Sequence, residues 1–177
     1  DGQIIEHDMR SQGCGNFAKP MDGFSRGFTN ILSLDLFSPT FDYESDHLLS
    51  NHPLVYASTD ALVLTENAWD WWWFWGQDEV DDMTNIHTFD ISVPGVTTYT
   101  GSGRIDGQIL NQFSLSEHEG VLRVATTVGQ WNRWWMEDPE PMSSSVITLV
   151  RGVDPQTDQQ ILLEYGRIDG IAEGERI

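Results

Sequence analysis

Short β-prone runs separated by polar turns set the pattern of this chain. Leu54-Val55-Tyr56-Ala57 and Ala61-Leu62-Val63-Leu64 flank the polar triplet Ser58-Thr59-Asp60, which reads as two strands around a tight turn. Further on, Gln112-Phe113-Ser114-Leu115 and Val121-Leu122-Arg123-Val124-Ala125 flank Ser116-Glu117-His118-Glu119-Gly120 in the same manner. No long stretch carries a 3.6-residue period, and only residues 39–52 leave room for a helical turn. The expectation is an all-β, antiparallel chain.

The strand pattern repeats. Thr29-Asn30-Ile31-Leu32-Ser33-Leu34-Asp35-Leu36-Phe37-Ser38-Pro39 recurs without a gap as Thr84-Asn85-Ile86-His87-Thr88-Phe89-Asp90-Ile91-Ser92-Val93-Pro94, identical at five of eleven positions. Ser144-Ser145-Val146-Ile147-Thr148-Leu149 is a weaker third copy. Gly103-Arg104-Ile105-Asp106-Gly107 returns as Gly166-Arg167-Ile168-Asp169-Gly170, and Trp69-Asp70-Trp71-Trp72 is echoed by Trp131-Asn132-Arg133-Trp134-Trp135. Three markers in one order point to radial repetition, with the Thr-Asn-Ile strand expected to close each unit.

A unit of about 60 residues with roughly four strands is the size of a β-propeller blade. A β-sandwich is the alternative that turn signals alone permit. On the propeller reading the whole chain, 1–177, is one all-β region holding about two complete four-stranded blades. The approximate units are a partial one at 1–39, complete ones at 40–100 and 101–160, and the start of a further blade at 161–177. Closed propellers use ~4–8 blades, so the remaining blades of the same protein are expected partners. Open strand edges would also invite self-association.

Composition narrows the function classes. With Lys+Arg 9 against Asp+Glu 28, the net charge is −19; such a surface repels phosphate backbones and anionic bilayers. Neither nucleic-acid binding nor membrane insertion is expected, and no 18-residue apolar stretch is present. Lys19 is the single lysine; an acidic, lysine-poor surface suits a protein living in salt, where counterions screen self-repulsion. Cys14 is the single cysteine, which excludes a disulfide within these residues. The chain opens on Asp-Gly-Gln-Ile, so an exported protein would begin here after its targeting segment.

At Asn111-Gln112-Phe113-Ser114-Leu115-Ser116-Glu117 and Leu122-Arg123-Val124-Ala125-Thr126-Thr127 the sequence resembles a family of secreted bacterial and archaeal beta-propeller domain proteins. Thr84-Asn85-Ile86-His87-Thr88-Phe89-Asp90-Ile91 looks like that family's preceding strand, and Gly166 to Ile177 like its following segment. The resemblance is good over roughly 84–177 and diffuse before Asn51. It implies a secreted or periplasmic propeller, and it assigns no activity and no functional residues.

The aromatic clusters are the candidate site. All eight tryptophans, Trp69, Trp71, Trp72, Trp73, Trp75, Trp131, Trp134 and Trp135, fall between the Leu62 or Leu122 strand and the following strand. Equivalent loops of adjacent blades lie side by side, so these residues would gather on one acidic rim. Indole planes stack on sugar rings and anchor protein interfaces, and Asp78, Asp81, Asp82, Glu137 and Asp138 stand nearby in sequence. Against this, tryptophan is usually well buried, and Trp71 and Trp73 alternate with Trp72 and Phe74 as residues packing on both faces of a hairpin would.

Other chemistry is weaker. Asp42-Tyr43-Glu44-Ser45-Asp46 and Asp78-Glu79 with Asp81-Asp82 have oxygen ligands at Ca²⁺-like spacing. Neither completes an EF-hand, and a solvated face is the expected reading. His7, His47, His52, His87 and His118 show no zinc spacing. Gly23-Phe24-Ser25-Arg26-Gly27 matches the nucleophile-elbow pattern, but that elbow needs a helix after it, and Thr29 to Phe37 reads as a strand. No catalytic residue, metal or cofactor is assigned. The expectation is a non-enzymatic extracellular binding or scaffold module with a glycan or protein ligand. The alternative is an extracellular hydrolase or lyase whose active site needs blades outside this chain.

Overall fold

The computed structural model describes residues 17–18, 27–40, 43–50, 53–68, 82–129 and 141–177. Among them every regular element is a strand, apart from one 3-10 turn at Gln112–Ser114. A three-stranded sheet comes first in the chain. It pairs β2 (Phe28–Leu34) antiparallel with β3 (Tyr43–Leu49), and β1 (Phe17–Ala18) parallel with β3. Two four-stranded antiparallel meanders follow. The first is β4 (Leu54–Ala57), β5 (Ala61–Ala68), β6 (Met83–Asp90) and β7 (Thr98–Asp106). The second is β8 (Leu115–His118), β9 (Val121–Val128), β10 (Ser143–Val153) and β11 (Gln160–Ile171).

The repeat has a direct structural meaning. Both later copies of the repeated strand, β6 and β10, are the third strands of their meanders, and β2 likewise precedes an antiparallel partner, β3. Side-chain hydrogen bonds repeat with the sequence. Thr88 and Thr148 each donate from Oγ1 to a glycine carbonyl on the next strand, Gly101 at 3.2 Å and Gly166 at 3.0 Å. At the start of the same strands Thr84 donates to the Gly107 carbonyl and Ser144 to that of Glu175. Each third strand also leads into an aspartate-capped turn. Asp35, Asp90 and Asp154 accept a backbone N–H two residues on, from Phe37, Ser92 and Gln156.

Period-2 alternation then decides how the sheets stack. Leu64 and Phe89 point to the preceding sheet and form one core with its Ile31 and Leu48. Val63, Ile86 and Ile105, on the opposite face, form a second core with Leu122, Val124, Ile147 and Leu149 of the following sheet. Leu62, Leu64 and Phe89 correspond in the repeat to Leu122, Val124 and Leu149. Each meander therefore turns the same face backward, and the three sheets stack face to face as blades of a partial β-propeller. A sandwich would bring two inner faces together and leave the outer faces wet; here the middle sheet is covered on both sides.

Three details differ from the sequence reading. Thr-Asn-Ile strands do not close their units: a further strand follows each, because Asp-capped loops return the chain onto the same sheet edge. Residues 161–177 were expected to open a further blade; Gln160–Ile171 is instead that fourth strand and pairs with β10 from Val153↔Gln160 to Ser144↔Ile171. Gln112–Ser114 is a 3-10 turn capped by the Asn111 side chain rather than strand, and the β8–β9 turn shrinks to Glu119-Gly120, both at positive φ. Around residues 39–52 the described segment forms β3, with no helix. The fourth strands also touch, through one parallel pair, Ile161↔Ser102, which links the meanders into a sheet ordered β4-β5-β6-β7-β11-β10-β9-β8.

Candidate functional site

The connections from second to third strand carry every tryptophan of the chain. In the first meander β5 and β6 pair down to Ala68↔Met83, and in the second β9 and β10 pair out to Ser143↔Val128. Segments 69–81 and 130–140 thus connect corresponding strand ends of consecutive blades. The eight tryptophans, with Asp78, Asp81, Glu137 and Asp138, lie outside the described residues. Their loop bases are described, and they are fastened together.

Asp82 does the fastening. It stands at the base of the first loop, and its Oδ2 accepts the Gly129 N–H at 2.9 Å, at the base of the second. Its Oδ1 accepts Gln108 Nε2 at 3.1 Å. Gln108 is buried and exchanges two backbone hydrogen bonds with the fully buried Thr127, at 2.9 and 3.0 Å. The chain leaving β7 is therefore stitched to β9 before the second meander begins. Gly107 makes this approach possible: its φ of 85° suits glycine, and a Cβ there would sit 2.8 Å from that of Thr126. One carboxylate holding the bases of both loops is a charge-assisted link of the stronger kind.

The opposite edge carries short turns. Ser58 Oγ donates to Glu117 Oε2 at 2.8 Å, and Gly120 N–H donates to Glu117 Oε1 at 2.9 Å. The Gly120 bond, aided by the Ser58 hydroxyl, outweighs the opposing effect of burial and holds the Glu117 carboxyl below its usual range. Tyr56 Oη accepts the Glu117 backbone N–H at 3.0 Å, so a side chain of β4 reaches the backbone of β8. Between the sheets at this end, Val63, Thr88, Leu122 and Leu149 line a gap of about 20 Å³, room for a single water.

Charged groups elsewhere serve the stacking. Arg167 Nη1 reaches Asp106 Oδ2 at 2.9 Å across the blade boundary, while its Nη2 holds Glu164 at 2.8 Å. These carboxylates, Glu164 first, push the guanidinium further up from its already high value. The arginine of the second Gly-Arg-Ile-Asp-Gly copy thus pairs with the aspartate of the first. Glu44 and Asp46 lie two apart on β3 and are half-buried rather than a solvated face, because Glu44 Oε2 accepts the Thr97 N–H at 2.8 Å and caps the β6–β7 loop. Burial raises the Asp46 carboxyl above its usual value. Alternate acidic residues on a strand share a face, and that spacing was the signal of an inter-blade contact.

Among the described residues no three His, Cys, Asp or Glu side chains gather as a metal-holding group. His47 Nδ1 lies 2.7 Å from Asn30 Oδ1, and His87 Nδ1 lies 3.2 Å from Tyr99 Oη. His118 is exposed beside Glu119. Cys14, His7, His52, Asp42, Glu79 and residues 23–26 of the Gly-x-Ser-x-Gly match lie outside the described residues. No described helix is long and apolar enough to cross a membrane.

A model of the family described as Beta propeller domain matches residues 5–177. An uncharacterized protein of the archaeon Methanocaldococcus jannaschii is 33% identical over 76 residues, covering 43% of this chain and 10% of that protein. The chain therefore spans about a tenth of that relative's length. No solved structure matches.

Proposed function

This chain belongs to the Beta propeller domain family, and from that premise we propose that it is a non-enzymatic binding or scaffold module whose Trp-rich acidic rim takes a glycan or protein ligand outside the cell. The observation that carries the reading is the Asp82–Gly129 bond, which ties together the bases of the only two tryptophan-bearing loops. Trp69, Trp71, Trp72, Trp73, Trp75, Trp131, Trp134 and Trp135 supply stacking planes there, in the class of residue that dominates binding hot spots. The net charge of −19 favours neutral, hydroxyl-rich or cationic partners over anionic ones and suits a saline exterior. The remaining blades that close the propeller complete the list of partners.

Polysaccharide pull-down and glycan-array binding test the rim. Trp72→Ala and Trp135→Ala are each expected to weaken retention by about 10-fold or more, as truncated aromatic anchors do. Asp82→Ala is expected to weaken it as well, by freeing the two loop bases, in a protein that remains folded. Retention unchanged in all three variants would sink the binding rim. Turnover of a bound polysaccharide would instead favour a hydrolase or lyase.

A further inference from the structure

The junction between the β1–β3 sheet and the first meander contains two oxygens that no hydrogen bond accounts for. Glu44 and Asp46 lie two apart on β3 and so share a face. Asp46 stands opposite Ile31, which is buried with Leu64 and Phe89, so that face looks into the next sheet. Thr97, at the end of the β6–β7 loop, is 4% exposed and sits between the two carboxylates. Its backbone N–H donates to Glu44 Oε2 at 2.8 Å, and its hydroxyl stands beside the Asp46 carboxyl. Even so, Thr97 Oγ1 and Asp46 Oδ2 are both shut off from solvent without closing a hydrogen bond. Leaving buried oxygens unmatched is costly, most of all on a carboxylate. Burial raises the Asp46 carboxyl, the Thr97 hydroxyl lowers it in part, and the Glu44 charge then raises it again while His47 lowers it. Among the described residues neither carboxylate has an arginine or lysine partner.

We infer that Glu44, Asp46 and Thr97 hold a hard divalent cation of the calcium class, which locks the β6–β7 loop onto β3. All three offer oxygen, with no thiol or imidazole among them, and oxygen donors select hard metals over soft ones. The third donor is a hydroxyl rather than a carboxylate, so two negative charges meet a double positive one. Both carboxylates are half-buried, which leaves an open side where water completes the shell. Calcium accepts about 6–8 oxygens in irregular arrangements, whereas magnesium demands a near-octahedral set. The donors are placed beforehand. The Thr97 N–H fixes Glu44, and the Val96 N–H closes the loop onto the Val93 carbonyl. Gly95, at φ of 78°, lies so near the first sheet that a Cβ would stand 3.0 Å from that of Asp35. The loop is thus already seated, and the cation neutralises the like charges beneath it. This site lies at the Asp90 end of β6, away from the Met83 end that follows the first tryptophan-bearing segment, so it is independent of the binding rim.

Amide hydrogen exchange on the full-length protein, followed in β3 and in residues 91–97 with chelator and then with calcium chloride, tests the site. Extracellular calcium modules have dissociation constants near about 1 mM. At that affinity about 10 mM calcium should slow exchange in both segments about 10-fold, because an opening that releases the cation is suppressed by that factor. Asp46→Asn removes a donor and a buried charge together. In chelator it should exchange no faster than the wild type, and calcium should leave it unchanged. Thr97→Val keeps the N–H to Glu44 and the side-chain volume, and it should lose most of the calcium response. Wild-type exchange indifferent to calcium overturns the inference. So does equal slowing in both variants, which would put the ion elsewhere. The full effect from sodium chloride at matched ionic strength also overturns it, since that is screening of the −19 charge rather than a site.

Discussion

Phe89→Ala is expected to lower the free energy of unfolding by about 3–5 kcal/mol, the largest effect of any single truncation among the described residues. Phe89 is 1% exposed and, among the described residues, is the largest fully buried side chain. It sits in the junction between the first two sheets with Ile31, Leu48 and Leu64. Its ring meets Tyr99 edge-on, at 5.3 Å between centroids and 73° between planes, a geometry adding about 0.5–1.5 kcal/mol beyond area burial. Burial also raises the Tyr99 phenol above its usual value, so that ring stays neutral in the junction. Domains have only about 5–15 kcal/mol of stability, so the loss takes a large fraction of the total. Urea denaturation reads it, with Phe113→Ala as comparison. Phe113 is 86% exposed and its truncation should stay within about 0.5 kcal/mol. A Phe89→Ala cost below about 1 kcal/mol would mean that the two sheets do not share a core.

Gly101→Val is the second large effect, with an expected cost of about 3–4 kcal/mol from two sources. Gly101 has φ of 144°, and a Cβ there would stand 3.2 Å from the backbone carbon and oxygen of Ile161. Backbone atoms cannot rotate aside, so the substitution pushes β7 off β11 at the one pair, Ile161↔Ser102, that joins the two meanders. Gly120→Ala separates strain from crowding. Its φ is 78° with nothing within 4 Å of an added Cβ, so only the left-handed penalty of about 1–2 kcal/mol remains. Equal costs for the two substitutions, read by denaturant midpoints, would contradict the close approach of the fourth strands.

The stacking of equivalent sheets was legible because the repeat lies in buried strands. Thr84, Thr88 and Phe89 recur as Ser144, Thr148 and Leu149 for reasons of hydrogen bonding and packing that each blade must satisfy anew. Strand boundaries were less legible. The fourth strands read weakly because Gly101, Gly103 and Gly166 interrupt them, and these are glycines that close contacts with Ile161, Leu162 and Thr148 explain only once the fold is known. Asp154 hid its equivalence to Asp35 and Asp90 because β10 is longer than β6, which carries the turn further along the chain. Of the candidate site, the loops' shared position was readable from the spacing of the tryptophans. The Asp82 link was not, since it depends on a chain crossing at Gly107-Gln108 that no local pattern encodes. In the sequence Asp82 is only one carboxylate of an acidic cluster.

A crystal structure of the chain tests the account most directly. Superposing β4–β7 on β8–β11 should bring Thr84 onto Ser144 and Thr88 onto Thr148, and the same operation should carry β2–β3 onto β6–β7 with Ile31 over Ile86. Finding Ile31 and Ile86 on facing inner surfaces of one two-sheet sandwich, with no common rotation relating the three stretches, would contradict the blade repeat and everything built on it.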